Sequence, residues 1–388
     1  MMLFKTDLLY TAVGEPIQNG MIRMSSDGEV LEVGQKLQSE TSEVRYLPGG
    51  ICPGFVNTHC HLELSHLKSK VQSGKGLVSF IQGVQSQRKA EEEEIHEAIR
   101  QADLAMWKNG IVAVGDISNG SSSFHQKIQS KIHYHTFIEL FGFDPQKAKD
   151  IFESGKTLKA EAEKVGLLAS LVPHSPYSVS NALFKYLKAE KNNALLSIHN
   201  QETAAENELF HANSGELKEM LESFGLSTEH LKANKQNSLP TYLPLLDKEK
   251  PLLLVHNTFT SASDLEQAEK LHPHLYWCFC PAANQYIEKR LPNIKNYVAA
   301  DVKCTLGTDS LASNDGLSIL EEMKIIQAEF PEISNAKLIE CGCKNGAEFL
   351  GLTDFGTLEI GKKPGLNWLE NLKAPDALSG TKVRRLKV

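Results

Sequence analysis

The chain has 388 residues, of which 41% are hydrophobic and 23% charged, so it can bury a large core without disulfides or a partner chain. The formal net charge of −7 is spread along the chain, which disfavours nucleic acid or an anionic membrane as a partner and favours a small molecule. No apolar run is long enough to cross a bilayer, and an acidic residue interrupts the apolar N-terminus, so we expect a cytoplasmic protein without a signal peptide. The seven cysteines, an odd number without zinc-ribbon spacing, are typical of free thiols in a reducing compartment.

Eight short apolar segments follow one another along the chain, each rich in β-branched or aromatic residues. They span residues 51–57, 110–116, 131–138, 167–173, 194–199, 251–256, 274–280 and 302–308. Helical patterns lie between most of them, for example at 91–108 and 264–271. Strands that alternate with helices run parallel and are buried on both faces. We therefore predict an α/β fold, a (β/α)8 barrel of TIM type over residues 51–350.

Two regions do not fit a simple repeat of strand and helix. The connection 199–251 is too long for one helix, so we expect it to hold an extra helix and a loop over a pocket. Residues 1–50 contain short strand-like pieces, and residues 351–388 follow the last predicted unit. Because chain termini often meet, we predict that 1–50 and 351–388 form one small β-sheet subdomain beside the barrel.

Metal-binding residue types follow the predicted strands. His59 and His61 follow the first strand, His174 follows the fourth, His199 and His256 end the fifth and sixth, and Asp309 follows the eighth. Catalytic groups of parallel barrels project from the carboxyl ends of the strands, so these side chains are expected to converge. Imidazoles with one carboxylate suit Zn²⁺ or Fe²⁺, and a catalytic site leaves one position open for water. Three histidines and Asp309 would supply the ligands.

A histidine pair with one residue between is weak evidence in a chain with 14 histidines. The pair at 133–135 lies inside a predicted strand and the pair at 272–274 precedes one, so we interpret both as structural or surface residues. His59 and His61 differ because they come directly after the apolar stretch 53–57. There the alternation of a strand points both imidazoles to one side, as a shared metal requires.

The sequence resembles the amidohydrolase superfamily, in particular its cytosine-deaminase-like or chlorohydrolase-like branch. The matching stretches are PGFVNTHCHLELS (53–65), HSPYSVS (174–180), SIHNQETAAE (197–206), LVHNTF (254–259), CPAANQYI (280–287) and LGTDSLASND (306–315). They lie in the family's order and spacing over most of the predicted barrel. The form THCHLELS is more similar to aminodeoxyfutalosine deaminases than to guanine deaminases.

The resemblance assigns roles to individual residues. It implies that His59, His61, His199 and Asp309 hold the metal, that Glu202 is the proton shuttle, that His256 contacts the bound water and the tetrahedral intermediate, and that His174 helps to bind substrate. We thus expect Glu202, His256 and Asp309 to be the catalytic residues.

Two departures from the family's patterns carry further expectations. Members with two metals bridge them with a carboxylated lysine at the end of the fourth strand, where this chain has His174. One divalent metal is therefore expected, Zn²⁺ before Fe²⁺. Near the C-terminus Asn367 stands where the family usually has aspartate, and we expect this to alter packing and not chemistry.

The implied activity is metal-dependent hydrolytic deamination of an amino-substituted heterocycle, such as a purine, a nucleoside-like compound or a pyrimidine. Activated water would attack the amino-bearing carbon while Glu202 carries its proton to the ring nitrogen and to the departing ammonia, and His256 would stabilise the developing charge. One alternative is hydrolysis of a ring C–Cl or N-alkyl bond. Another is a non-catalytic metal-binding barrel, against which the complete residue set argues. A homodimer is common in this family.

Three acidic residues keep more than one interpretation. Glu63 is either a substrate-binding acid of the pocket or the partner of Lys68 or Lys70 at the rim. Glu139 and Asp116 end predicted strands, and each either faces the cavity or forms structural hydrogen bonds. Of the two, Glu139 is the candidate for substrate binding.

Overall fold

The computed structural model describes residues 1–37, 43–229, 231, 233–373 and 377–387. Its strands are β1 (Met2–Leu9), β2 (Ile17–Gln18), β3 (Met21–Met24), β4 (Val30–Gly34), β5 (Val44–Pro53), β6 (Phe55–Cys60), β7 (Ile111–Ser118), β8 (His133–Leu140), β9 (Leu168–Pro173), β10 (Leu196–Asn200), β11 (Leu252–His256), β12 (Leu275–Phe279), β13 (Cys304–Leu306), β14 (Leu366–Glu370) and β15 (Lys382–Leu386).

The α-helices are α1 (Gly76–Gln87), α2 (Glu92–Lys108), α3 (Phe124–Gln129), α4 (Ala148–Lys164), α5 (Asn181–Ala189), α6 (Ala204–Ala212), α7 (Glu216–Ser223), α8 (Ser238–Tyr242), α9 (Ala262–Leu271), α10 (Pro281–Glu288), α11 (Ile294–Ala299), α12 (Ile319–Glu329), α13 (Asn335–Ile339) and α14 (Asn345–Phe349). Short 3₁₀ turns lie at Leu62–Leu67, Pro145–Lys147 and Leu243–Leu245, and a π-helical turn at Glu340–Lys344. None of the helices in the described part of the chain is long and apolar enough to span a membrane.

Two parallel sheets of four strands form the centre of the fold, in the orders β6-β7-β8-β9 and β10-β11-β12-β13. Strands such as β7 and β11 are buried along their whole length, which explains their continuous apolar sequences. Helices follow most of the strands, as the alternation in the sequence predicts. The protein is therefore a mixed α/β fold built on parallel strands.

The two parallel sheets meet edge to edge at both ends of their strand order. At one junction the backbone N–H groups of Thr308 and Asp309 donate to the carbonyl of His59, at 3.0 and 3.1 Å. At the other, the N–H of His199 donates to the carbonyl of His174 at 2.9 Å. These contacts bring the carboxyl ends of β6, β9, β10 and β13 to one end of the fold.

The predicted strands agree with the structure except at the first. Every predicted segment contains a strand, but residues 51–57 are divided between β5 and β6. The division falls at Gly54, where an added Cβ would lie 2.3 Å from a Cγ of Val112. The backbone N–H of Gly54 turns towards the carbonyl of Pro364 at 3.2 Å. The apolar run continues through this position, so the sequence pattern does not reveal that the chain changes sheets here.

Strands from both ends of the chain share a third sheet. Its order is β15-β14-β5-β1-β3-β4, and β2 pairs with β1. Phe4, Leu9 and Ile22 are fully buried in the apolar cluster on this sheet. Asn367 on β14 is also fully buried, and its Nδ2 donates to the carbonyls of Gly110 (2.9 Å) and Pro53 (3.3 Å). Its amide thereby joins the third sheet to the start of β7.

The long connection after β10 contains three helices, α6, α7 and α8. The prediction of an extra helix in residues 199–251 is therefore confirmed. Side chains of α7 pack into an apolar cluster with Leu77 of α1 and Tyr177, above the carboxyl ends of the strands.

Asn367→Ala should destabilise the fold, because it removes the two buried hydrogen bonds that the side-chain amide donates to the carbonyls of Gly110 and Pro53. The expected loss is about 1–3 kcal/mol in the free energy of unfolding, measured by chemical denaturation. Lys382→Ala on the exposed face of the neighbouring strand is the control and should change stability little. Equal stabilities of the two variants would contradict the bridging role of Asn367.

Candidate metal centre and cavity

Four buried side chains converge where the two parallel sheets meet. Donor atoms of His59, His61, His199 and Asp309 all lie within 4.8 Å of one another. The Nε2 atoms of His59 and His61 are 3.2 Å apart, and Asp309 Oδ1 lies 3.6 and 3.4 Å from them. Ligands placed tetrahedrally at zinc distances of about 2.0–2.1 Å would be separated by about 3.3 Å. The observed spacing therefore fits one metal ion held by these four residues.

Local backbone geometry brings the histidine pair to this position. His59 and His61 lie at and just beyond the end of β6, where alternation places Cys60 on the other side. Gly307 at the end of β13 provides space, because a Cβ there would lie 2.8 Å from the Cβ of His59. The glycine thus allows β13, and Asp309 after it, to approach the histidines closely.

Hydrogen bonds orient the other two donors. His199 Nδ1 donates to the carbonyl of His174 at 2.8 Å, so its Nε2 is left free for a metal. One carboxylate oxygen of Asp309 accepts the hydroxyl of Ser313, and the other faces the histidines. Such contacts fix ligand orientation before a metal arrives.

Left-handed backbone conformations are concentrated at the strand ends around this cluster. Gln201, His256 and Asp309 have φ values of +44°, +73° and +54°. Such conformations cost about 1–3 kcal/mol each in residues other than glycine, and they are typical of functional sites. Packing and the hydrogen bonds between strand ends must hold them, including the one from Asn257 N to Asn200 O at 3.0 Å.

Burial determines the charge states of the cluster. It lowers the pKa of His59 and His61 well below the ordinary value and also lowers that of His199, so these imidazoles are neutral, as metal ligation requires. Burial alone would raise the pKa of Asp309, but the adjacent His61 and His256 hold it below its usual value. The cluster therefore offers three neutral nitrogens and one anionic oxygen.

Glu202 and His256 lie beside the four donors and face each other. Glu202 Oε1 is 3.6 Å from His256 Nε2, and both side chains are buried. Burial, reinforced by the nearby Asp309, raises the pKa of Glu202 well above its ordinary value. Glu206 accepts the backbone N–H of Gln201 at 3.0 Å and so holds the turn that carries Glu202. Glu202 is thus placed to hold and release a proton beside the metal cluster.

His174 and Glu139 form a second group with His199. Donor atoms of the three lie within 4.8 Å of one another. The nitrogen of His199 nearest to Glu139 is Nδ1, at 3.5 Å, and it is already bonded to the carbonyl of His174. Burial raises the pKa of Glu139 to about 8. Because its shared donor is occupied, this group competes poorly for a metal and faces the cavity instead.

Glu63 pairs differently from the two sequence interpretations. The prediction that it pairs with Lys68 or Lys70 is wrong: its carboxylate accepts Arg88 Nη2 at 2.6 Å and the backbone N–H of Asn119 at 3.0 Å. Lys70 instead pairs with a glutamate of α2. Arg88 lines the cavity, whereas Glu63 lies behind it. Helix α1 lies between Glu63 and Arg88 in the sequence, so no local pattern indicates that these two residues pair.

A cavity of about 390 Å³ opens onto the metal cluster. Its inner end contains His61, His199, Glu202, His256 and Asp309, with His174 and Glu139 on one side. Its outer wall is mainly apolar and includes Leu77, Phe80, Phe141, Met220, Leu221 and Phe224. The sequence analysis missed this wall, because the apolar faces of α1 and α7 look like ordinary core positions. The cavity can take a molecule with a polar reacting end and an apolar remainder.

Comparison with known proteins gives one family. The sequence profile described as "Amidohydrolase family" matches residues 51–383. The chain is 27% identical to an adenosine deaminase of Helicobacter pylori, over 88% of this chain and 85% of the relative. It is 26% identical to an aminodeoxyfutalosine deaminase of Nitratiruptor, over 82% of this chain and 78% of the relative.

Solved structures share the fold at lower sequence identity. The structure of Helicobacter pylori aminofutalosine deaminase in complex with methylthio-coformycin superposes with a TM-score of 0.81 at 21% identity, covering 100% of both chains. Atrazine chlorohydrolase of Arthrobacter aurescens, complexed with zinc, superposes with a TM-score of 0.76 at 16% identity, covering 99% of this chain and 93% of that chain.

We predict one tightly held divalent metal per chain, because the four convergent donors form one tetrahedral set. Elemental analysis of protein purified without added metal measures the ratio. His199→Ala should lose the metal, whereas His174→Ala should keep it. A ratio near two, or loss of the metal in the His174 variant, would show that the second group binds a metal.

Proposed function

The chain belongs to the amidohydrolase family, and on that premise we propose that it is a metal-dependent deaminase that releases ammonia from an amino-substituted purine nucleoside. The observation that carries the proposal is the juxtaposition of three elements. A His₃Asp cluster, a buried Glu202 facing His256 and a 390 Å³ cavity meet at one end of the parallel strands. Together they provide a metal site, a proton carrier and room for a heterocycle.

For the architecture, we propose that the two parallel sheets are halves of one closed (β/α)8 barrel. The hydrogen bonds between β6 and the end of β13, and between His174 and His199, support closure at both junctions. The barrel predicted for residues 51–350 would then begin at β6, because β5, which ends at Pro53, lies in the third sheet with the strands of the predicted flanking subdomain 1–50 and 351–388. The seven buried free cysteines support a reducing compartment such as the cytoplasm. The homodimer stays a prediction from the family.

We propose zinc as the metal. Three imidazoles and one carboxylate are donors that zinc accepts, and their spacing fits its tetrahedral geometry. The zinc complex of the chlorohydrolase, which shares the fold, supports the same choice. When bound, such an ion lowers the pKa of a coordinated water so that hydroxide is available near neutral pH.

The protein's own side chains would then transfer the protons of the reaction and stabilise the charge that develops. Glu202 would take a proton from the attacking water and deliver it to the ring nitrogen. It would then take the remaining proton from the hydroxyl added at the attacked carbon and deliver it to the amino group, which leaves as ammonia. His256, 3.6 Å from Glu202, would stabilise the charge that develops on the oxygen added at the attacked carbon. The raised pKa of Glu202 suits both proton transfers, because in each of them the carboxyl group must hold a proton between uptake and delivery.

The cavity favours a purine nucleoside with a large apolar substituent on the sugar. The heterocycle would lie against His174, Glu139 and Glu202 at the inner end. The remainder would contact the apolar wall formed by α1 and α7. The curated relatives are named as deaminases of adenosine and aminodeoxyfutalosine, which agrees with a substrate of this class.

A screen for ammonia release tests the proposal. The panel contains adenosine, 5′-methylthioadenosine, S-adenosylhomocysteine and aminodeoxyfutalosine, with guanine and cytosine as bases without a sugar. We expect the nucleosides with large 5′ substituents to give the highest kcat/KM, because these substituents contact the apolar wall of the cavity. Release of ammonia from guanine or cytosine alone would overturn the nucleoside proposal. Release of chloride from a chlorotriazine without any deamination would favour the chlorohydrolase alternative.

Glu202→Gln should lose at least about a hundredfold in kcat on the best substrate of that panel, because a positioned acid and base contributes about 10²–10⁴ in rate. The amide keeps the shape of the side chain and removes its proton transfer. Metal content, thermal unfolding temperature and KM should stay near those of the parent. Turnover within a few-fold of the parent would remove Glu202 from the mechanism.

A further inference from the structure

A completely buried ion pair lies beneath the His59–His61 segment, outside the cavity. Asp116 lies on β7 and Lys127 on α3, and the exposed fraction of both side chains is 0%. Lys127 Nζ is 2.6 Å from Asp116 Oδ2. Neither residue lines the cavity, so the proposed chemistry does not use them directly.

The free oxygen of Asp116 bonds to the chain that carries the histidine pair. Its Oδ1 accepts the backbone N–H of Leu62, the residue after His61, at 2.8 Å. In the strand register Asp116 is directly opposite Cys60, which lies between His59 and His61. The Cys60 side chain is also close enough to help lower the pKa of Asp116, although burial raises that pKa overall. One residue thus lies beside both sequence neighbours of His61, opposite Cys60 in the sheet and hydrogen-bonded to the backbone of Leu62.

Lys127 is held in place by neutral groups. Its Nζ donates to Ser118 Oγ at 2.8 Å and to Thr136 Oγ1 at 3.3 Å. It also lies 5.8 Å from the ring centroids of Phe124 and Tyr134. These contacts fix the ammonium, which in turn fixes Asp116 Oδ2.

A buried ion pair seldom stabilises a fold more than apolar residues of the same volume would, so stability alone does not account for this pair. The Asp116 side of the pair contacts the turn from Cys60 to Leu62. Where β6 ends, ladder hydrogen bonds no longer fix the chain, and Asp116 supplies the acceptor that replaces them.

We propose that Asp116 and Lys127 are positioning residues for the metal site. This proposal rests on the metal site proposed above. Asp116 fixes the direction of the His59 and His61 imidazoles through Cys60 and Leu62, and Lys127 orients and neutralises Asp116. The pair preorganises two of the four ligands. Groups that orient metal ligands are typically worth 10–100-fold in metal affinity.

Two double variants separate positioning from simple stability. Asp116→Leu with Lys127→Met removes the acceptor for Leu62 and leaves no unpaired buried charge. Asp116→Asn with Lys127→Met is the matched control, since the Asn oxygen can still accept the Leu62 N–H. Each protein is purified, and its zinc affinity is measured by competition with a chromophoric chelator. Thermal unfolding of the metal-free form is measured in parallel.

We expect the Leu/Met variant to bind zinc about 10–100-fold more weakly than the parent. The Asn/Met control should bind zinc nearly as tightly as the parent, and the two metal-free variants should unfold at similar temperatures. Equal zinc affinities of the parent and the Leu/Met variant would overturn the positioning role. So would equal losses of affinity in both variants, because only one of them lacks the acceptor.

If the Leu/Met variant does not fold, Asp116→Ser with Lys127→Met takes its place, since the shorter hydroxyl cannot reach the Leu62 N–H. The zinc affinities of this variant and of the control with Asp116→Asn and Lys127→Met then show whether the acceptor for Leu62 matters for zinc binding. A parent chain that binds no zinc would overturn the metal site and this inference together. A parent that binds zinc but deaminates nothing would overturn only the proposed function, because the zinc affinities do not depend on turnover.

Discussion

The contact on which the site depends most is the junction between β6 and the end of β13, where the N–H groups of Thr308 and Asp309 donate to the carbonyl of His59. It joins residues about 250 positions apart in the chain and places the carboxylate of Asp309 beside the two histidines. Without it the cluster would consist of a histidine pair and a distant acid. Gly307 permits this approach, and the left-handed backbone of Asp309 turns the carboxylate inwards.

The surroundings of the cluster offset the cost of burying so many polar groups. Several acidic and imidazole groups near the site have a defined contact: Asp309 with Ser313, His199 with the His174 carbonyl, Glu206 with the Gln201 N–H and Asp116 with Lys127. A buried polar group without a partner costs free energy, and satisfied networks rigidify the structure. The extended apolar core behind the strands stabilises the fold and offsets the free-energy cost of burying polar groups at the site.

The cavity divides the proposed work between two chemically different regions. The inner end combines the metal cluster with Glu202 and His256, where charge can develop in the absence of bulk water. The outer wall comes from α1 and α7, which belong to the connections and not to the strands. This separation allows the reaction to depend on the strand ends while the connections select the substrate.

The sequence by itself determined the elements and the residue types of the site. Apolar periodicity located all eight parallel strands, and the spacing of His59 and His61, with the other strand ends, indicated the cluster that the structure brings together. These are local patterns, and each depends on residues close in the chain. The tertiary structure alone decided the change of sheet at Gly54, the pairing of Glu63 with Arg88, the bridge made by Asn367 and the apolar wall of the cavity. Each depends on contacts between segments far apart in sequence, which hydrophobic alternation and motif spacing do not encode.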